Sequence, residues 1–375
     1  MALNQVGLER LNTATTKKIG TTKNLIINGA MQVAQRGTSS TSTGYHTVDR
    51  FRHTGSGTDE APTFAQVDVA SGTTPYTSGF RKAFRITNGN QTGGAGAGDA
   101  IVLGYKLEAQ DLANSGWNYV SSSSYITLSF WVKSSVAQNF YGRLTTTDGT
   151  SQNYPFETGS LTADTWTKIT KTIPGNSNLQ FDNNADKGID IEWMMFRGTN
   201  FTDSGVTLNA WAAYASGTRT PDNTTTWYTT DDATFEITGV QLEVGSVATD
   251  FEHRSFGQEL ALCQRYFFNI TGNNGSRSGI AAYANSTSSL RAMVQFPVPM
   301  RALPTFSGTA TAMVFDSSDD SASFNISGFA NGGAPTTSNP SRMCLDIGTS
   351  SMTAGQGGQL EFRADNGELN FSSEI

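Results

Sequence analysis

The chain has 375 residues, of which 37% are apolar and 39 more are glycine, enough for two or three domains with buried cores. Charged residues make up only 15% and the net charge is −7, which argues against the concentrated basic face that a nucleic-acid partner requires. Two cysteines, Cys263 and Cys344, cannot form a disulfide framework, and there is neither an export signal nor a long apolar run, so a chain made in the cytoplasm without a membrane span is expected.

Residues 1–23 carry Arg10, Lys17, Lys18 and Lys23 against Glu9, with apolar positions too scattered for a core. They read either as a frayed terminus or as an arm that orders against a partner. A first strand is expected over Asn24 to Ala34, where the alternation is loose. Ala83 to Thr87, Ala100 to Leu107, Thr165 to Ile173 and Ile189 to Phe196 follow as strands. The sharpest period-two signal is Tyr125 to Lys133, with Ile126, Leu128, Phe130 and Val132 on one face. Gly-, Asn-, Ser- and Thr-rich gaps such as Asn88 to Gly98 separate them as loops.

The stretch Phe235 to Phe268 organises the rest. Phe235 and Ile237 alternate until Gly239 intervenes, after which Val240 and Leu242 become the apolar pair; an inward phase shifted by one residue at a glycine predicts a β-bulge. Ser255 followed by Gln258 predicts a capping box that opens a helix with Phe256, Leu260, Cys263 and Phe267 on one face. Beyond it, short strands are expected at Ile280 to Ala284, Leu290 to Phe296, Thr309 to Phe315, Ser323 to Phe329, Arg342 to Ile347, Leu360 to Ala364 and Glu368 to Phe371. Pro297, Pro299 and Pro304 interrupt them where a central strand cannot continue. The fold class is therefore all-β: a jelly-roll-like antiparallel β-sandwich, a short helix, and a second, smaller β-sandwich. The expected divisions are an arm at 1–23, a sandwich at 24–254, a linker helix at 255–268 and a C-terminal β domain at 269–375.

The run QLEVGSVATDFEHRSFGQELALCQRYF (Gln241 to Phe267) resembles a segment of tail-fibre and other virion-surface proteins of tailed bacteriophages, where it follows a carbohydrate-binding-module-like β-sandwich. Asn24 to Ser39, Tyr45 to Phe51, Glu108 to Gly116 and Tyr125 to Ser135 resemble other parts of the same family, so the likeness spans roughly residues 24–268. It implies a virion protein whose arm docks to other virion proteins, whose β domains meet host surface glycan, and which assembles as a trimer. A head fibre, decoration or tail-adaptor protein and a capsular polysaccharide depolymerase are the alternatives.

No catalytic constellation emerges. His46, His53 and His253 lie in no metal-binding spacing and read as surface or interface hydrogen-bonders. Cys263 reads as a small core residue. Glu108, Asp111, Glu192, Glu236 and Glu243 are carboxylates in or beside strands that could supply a glycosidase pair, yet nothing in the sequence fixes their separation. Glu243 and Glu252 read as surface or hinge groups whose replacement by Gln leaves stability unchanged. Asp182, Asn183, Asn184 and Asp186 cluster hard oxygens of the kind calcium takes in such sandwiches by resemblance, but read as a solvated turn, and neither metal nor cofactor is expected. Loop aromatics are the remaining candidates, because a pyranose stacks its C–H face on Trp or Tyr: Trp117, Trp211, Tyr214, Trp227 and Tyr228, each of which could equally be core.

Overall fold

The computed structural model describes residues 23–318, 323–330, 339–365 and 367–375; the arm expected at 1–23 lies outside them except for Lys23. The described chain divides into two compact units, residues 23–30, 53–63 and 67–254 in one and 31–52, 64–66 and 255–375 in the other. Both are built of antiparallel sheets, as the short alternating runs require. No helix among the described residues is long and apolar enough to cross a membrane.

Three short strands come first in the chain, β1 (Ser39–Ser40), β2 (Phe51–Ser56) and β3 (Thr63–Asp68); in the first unit one sheet then contains the run β4 (Lys82–Thr87), β12 (Thr234–Val244), β6 (Tyr125–Ser134), β9 (Thr167–Pro174). The facing sheet runs β11 (Ala212–Ala213), β8 (Gln152–Ser160), β7 (Asn139–Thr146), β10 (Lys187–Arg197), β5 (Ala100–Glu108). Ile126, Leu128, Phe130 and Val132 are fully buried, as their alternation dictates. Phe130 meets Trp193 of the facing sheet edge-on at 5.7 Å, and Phe140 meets Phe235 at 5.0 Å, so the core lies between the sheets. Strands β7 and β8 escape the sequence reading because Gly142, Arg143 and Pro155 break their apolar pattern.

The β6–β12 register shifts between Thr238 and Gln241, with Gly239 at φ 63° inside the shift. A Cβ on Gly239 would sit 2.7 Å from the Phe80 ring, so the bulge needs glycine for backbone and for space. The shift turns Val240 toward the chain's opening segment, whose Gly29 carbonyl accepts its N–H at 2.9 Å. Asn24 to Ala34 is therefore no regular strand. It follows β12 through Leu25 N–H to the Leu242 carbonyl (2.9 Å) and Asn24 Oδ1, which accepts from both Ile26 and Leu242 (3.0 Å each), and then turns at Asn28, whose φ is 60°.

Glu243 is not a surface group, and Glu252 is only half-buried but engaged. Glu243 is fully buried and accepts from Gln241 Nε2, Thr249 N–H and Thr249 Oγ1, each at 2.8 Å. Gln241 Oε1 accepts from Glu252 N–H (2.9 Å), while Glu252 Oε2 accepts from Asn24 N–H (2.7 Å) and Arg254 Nη2 (3.2 Å). Arg254 in turn donates to the Ile26 carbonyl at 3.1 Å. These side chains bind the segment after β12 to Asn24 and Ile26, a contact across 228 positions of sequence that local pattern cannot reveal.

In the second unit a seven-stranded sheet has the order β18 (Ser323–Asn325), β17 (Met313–Ser317), β21 (Gly357–Phe362), β14 (Arg277–Ala284), β15 (Ser289–Gln295), β20 (Arg342–Gly348), β19 (Gly328–Ala330). A three-stranded sheet, β13 (Phe267–Gly272), β22 (Gly367–Ser372), β16 (Thr305–Gly308), completes it. Ile280, Leu290, Val294, Phe315, Leu360 and Phe371 form its core. The helix Phe256–Gln264 has the expected capping box, with Gln258 N–H donating to Ser255 Oγ at 3.3 Å and Ser255 N–H to Gln258 Oε1 at 3.0 Å. Its buried side is Glu259 and Cys263, continued by Tyr266, whereas Phe256 is 56% exposed and Phe267 belongs to β13.

Residues 31–52 and 64–66, read from sequence within the 24–254 sandwich, group with this second unit. Arg36 and Arg50 there pair with Glu374, and their guanidiniums lie over the Phe267 and Tyr266 rings at 3.6 and 3.4 Å. Burial pushes the Asp49 carboxyl up to about 6 against the opposing pull of Arg36 and hydrogen bonds from Gln35. Burial likewise pushes the Cys263 thiol well above its ordinary value, the state of an unreactive core thiol.

Candidate functional site

Three of the five aromatic candidates are core residues. Trp227 and Tyr228 are 0% and 1% exposed, and Trp117 is 3% exposed, so none has a ring face free to meet a ligand. The polar atoms of two of them are used internally: Trp227 Nε1 donates to the Thr234 carbonyl at 3.0 Å, and the Tyr228 hydroxyl donates to Asp99 at 2.8 Å. Position next to a loop did not distinguish them: Trp227 and Tyr228 lie in the helical turn Thr226–Thr229, their rings packed on Phe140 and Phe196. Trp211 and Tyr214 are half-buried and lie at the two ends of the short strand β11.

Strand alternation sends these two to different places. Ala212 pairs with Asn153 and Ala213 with Gln152, which puts Trp211 and Gln152 in one phase and Tyr214 and Asn153 in the other. Trp211 lies 5.1 Å from the Tyr154 ring and is fixed by its Nε1 donating to the Pro174 carbonyl at 2.7 Å. Around it is an open cleft of about 410 Å³ lined by Thr150, Gln152, Asn178, Gln180, Trp211, Ala212 and Ala213. The lining is an indole, three amides and a hydroxyl without a formal charge. Gln180 Nε2 donates to Asp182 at 3.1 Å and Gln152 Nε2 to the Thr150 carbonyl at 3.1 Å, so both amides are held in place.

The other phase carries charge. Arg143 on β7 is directly opposite Glu192 on β10, and Arg143 Nε meets Glu192 Oε2 at 2.6 Å. Arg197 Nη2 reaches the same oxygen at 3.1 Å. Arg219, whose Nε donates to the Ser216 carbonyl at 3.1 Å, lies over the Phe201 ring at 4.8 Å and the Tyr214 ring at 5.9 Å. Arg143 is 5.4 Å from the Tyr214 ring and Arg197 5.5 Å from the Phe201 ring. Burial alone would raise the Glu192 carboxyl, but Arg143, Arg197 and Arg219 outweigh it and hold it low. Two residues earlier on the same face, burial and the Glu192 charge push Asp190 up against the pull of Lys187, Lys106 and Arg143. The sequence reading placed Glu192 only among five carboxylates that could supply a glycosidase pair, without its cationic partners. The available signal was the charged set Arg143, Asp190 and Glu192 at alternating positions within otherwise apolar strands.

The other carboxylates considered for catalysis are engaged or dispersed. Glu236 is buried between Arg85 (2.6 Å) and Lys133 (2.8 Å), Glu108 is buried beside Gln110, Glu243 holds the segment after β12, and Asp111 is exposed. Of the histidines read as surface or interface hydrogen-bonders, His53 is fully buried, while His253 is exposed against the Ser78 carbonyl at 3.0 Å. Asp182 and Asp186 use their backbone N–H groups on Asp148 (2.9 Å) and Asn184 (3.0 Å), and Asn183 accepts from Asn114 at 2.8 Å. Among the described residues no group of three or more His, Cys, Asp and Glu side chains could hold a metal ion.

No family model matches the sequence, and no curated protein matches it. Solved structures with a similar course of chain include the enzymatically active domain of tailspike protein 4 of bacteriophage CBA120, at 9% identity and a TM-score of 0.30, covering 59% of this chain and 21% of that one. The N-terminal cellulose-binding domain of Cellulomonas fimi β-1,4-glucanase C is similar at 11% identity and a TM-score of 0.27, covering 58% of this chain and 99% of that one. The CBM22-1 xylan-binding domain from Paenibacillus barcinonensis is similar at 9% identity and a TM-score of 0.27, covering 61% and 100%. At such scores these likenesses add nothing to what the strand topology establishes, which is an antiparallel β-sandwich.

Proposed function

We propose that the chain is a non-enzymatic virion-surface protein of a tailed bacteriophage whose first unit binds host surface glycan through the cleft at Trp211. The observation that carries this reading is the cleft itself, an anchored, half-exposed indole among Gln152, Asn178, Gln180 and Thr150 in about 410 Å³. That volume falls in the range of small-molecule sites, and the mixture of one flat apolar surface with neutral donors and acceptors suits a sugar ring. The resemblance of residues 24–268 to phage virion modules supports the setting. Repetition on a particle, as a trimer or in several copies, raises the weak affinity of one such site through effective concentration. Glycan-array binding by the full chain, reduced about tenfold or more by Trp211→Ala, is the expected result. Absence of any glycan binding, with assembly onto virion proteins intact, replaces this reading with a purely structural head-fibre, decoration or adaptor role.

The depolymerase reading has one observation in its favour. Asp190 and Glu192 share one face of β10, and their carboxyls are pushed in opposite directions, as an acid and its partner base require. Burial and the Glu192 charge acting on Asp190, with the Arg143 and Arg197 ion pairs acting on Glu192, give the same shifts in a purely structural network. Release of reducing ends from a capsular polysaccharide, abolished by Glu192→Gln, decides for the enzyme; a silent assay decides for binding alone.

A further inference from the structure

The cluster behind Tyr214 holds more positive charge than its own acid neutralises. Arg143, Arg197 and Arg219 are the cations acting on Glu192, and the ion pairs of Arg143 and Arg197 both fall on one oxygen, Oε2. Asp190 on the same face is opposed by Lys187 at 3.5 Å and by Lys106, and Asp222 accepts the Thr202 hydroxyl at 2.7 Å. Arg197 is only 7% exposed, and its Nε meets no hydrogen-bond acceptor among the described residues. A buried guanidinium N–H without a partner is costly, and native structures leave such groups where something else completes them. The crowding is felt electrostatically: burial, with Arg219 and Arg143 beside it, brings the Arg197 guanidinium down to about 10 although Glu192 pulls the other way.

We propose that this cluster takes the oxyanion of an acidic sugar, the carboxylate or sulfate of a charged polysaccharide, with Arg197 Nε and the Arg219 guanidinium as its donors. Planar guanidiniums match carboxylate and sulfate geometry, and three of them against one carboxylate leave room for a second anion. Phe201 and Tyr214, both half-buried, supply apolar walls beside the guanidiniums that a sugar body can use and a bare inorganic ion cannot. The strands tie this cluster to the proposed glycan cleft. Gln152 lines the cleft while Asn153 accepts from Arg143 at 3.4 Å and donates to the Arg219 carbonyl at 2.9 Å, and Trp211 and Tyr214 divide in the same way across β11. The inference rests on the glycan-binding reading and names the class of glycan.

The test is titration calorimetry of the full chain with polygalacturonate, dextran sulfate, neutral dextran and sodium sulfate, on the wild type and on Arg219→Gln, Arg197→Lys, Trp211→Ala and a control, Arg342→Gln, at an exposed site in the second unit. An acidic polymer should bind at least about tenfold more tightly than dextran, and Arg219→Gln and Arg197→Lys should remove about that factor for the acidic polymer alone. Arg219 is half-buried, so its variant remains informative if Arg197→Lys fails to fold. Equal affinity for acidic and neutral polymers overturns the proposal, as does an equal loss in Arg342→Gln, which marks diffuse electrostatics. Competition by sodium sulfate as effective as by polymer reduces the site to one for a free anion and also overturns it. If Trp211→Ala loses binding while the arginine variants do not, the cleft stands and the acidic-sugar inference falls. The reverse pattern removes the cleft and keeps the cluster, and no binding to any polymer ends both.

Discussion

Two buried polar regions of the first unit have similar composition and opposite character. Around Glu243, Gln241, Glu252, Arg254 and Asn24, side-chain donors and acceptors meet one another or the backbone, and the region joins Asn24 and Ile26 to the end of β12 and the segment after it. Around Glu192, three guanidiniums share one carboxylate and Arg197 Nε is left over. A closed network holds a fold together, whereas a spare buried donor calls for a partner, which the acidic-sugar proposal supplies.

This difference is testable by taking the two apart. The largest effect is expected for Glu243→Ala, which strips the acceptor from Thr249 and Gln241 inside the fold and should cost about 3–5 kcal/mol in urea unfolding. Glu243→Gln should still cost about 2 kcal/mol, because an amide brings donors where Thr249 and Gln241 already donate. A loss below about 0.5 kcal/mol for both would break the comparison.

Asp49 sharpens the comparison from the second unit, as a carboxylate that has partners and is still raised to about 6 by burial. With its folded value above the ordinary 3.8, the native state holds the proton longer than the unfolded chain. Stability from this group is thus full below about pH 4, falls as pH rises through about 6, and stays level above that, a change of at most about 3 kcal/mol. Asp49→Asn should flatten that segment of the stability profile; an unchanged slope would show that Asp49 is not its source.

Smaller still, Gly239→Ala should cost about 2 kcal/mol, combining a positive φ with the approach to the Phe80 ring. Thermal unfolding checks it, and a variant as stable as the parent would show that the bulge relaxes around a methyl group. The smallest effect on stability belongs to the open cluster: Arg219→Gln should change unfolding by less than about 0.5 kcal/mol, since its side chain makes one backbone hydrogen bond and lies over two half-buried rings.

Much of this architecture was legible in the chain. The alternation of Ile126 to Val132, the phase shift at Gly239 and the Ser255–Gln258 cap are local signals, set by neighbours within a few residues. The helix face was misjudged because a nine-residue helix has too few turns for apolar spacing to fix which side is buried, and Glu259 is buried while Phe256 is exposed. Trp211 and Tyr214 were legible as aromatics near loops, but so were Trp117, Trp227 and Tyr228, and only packing separates them. The arginine cluster depends on the register that sets Arg143 opposite Glu192 and on a connection that returns Arg219 to that face, neither of which any window of sequence contains.

The most direct test is hydrogen–deuterium exchange of the full chain with and without a saturating polysaccharide drawn from a positive array. Slowed exchange should concentrate in residues 150–153, 178–180 and 211–219, the segments that carry the cleft and the cluster, with the strand β12 unchanged. Protection confined to other segments, or none despite saturation, would contradict a glycan site on this part of the sandwich.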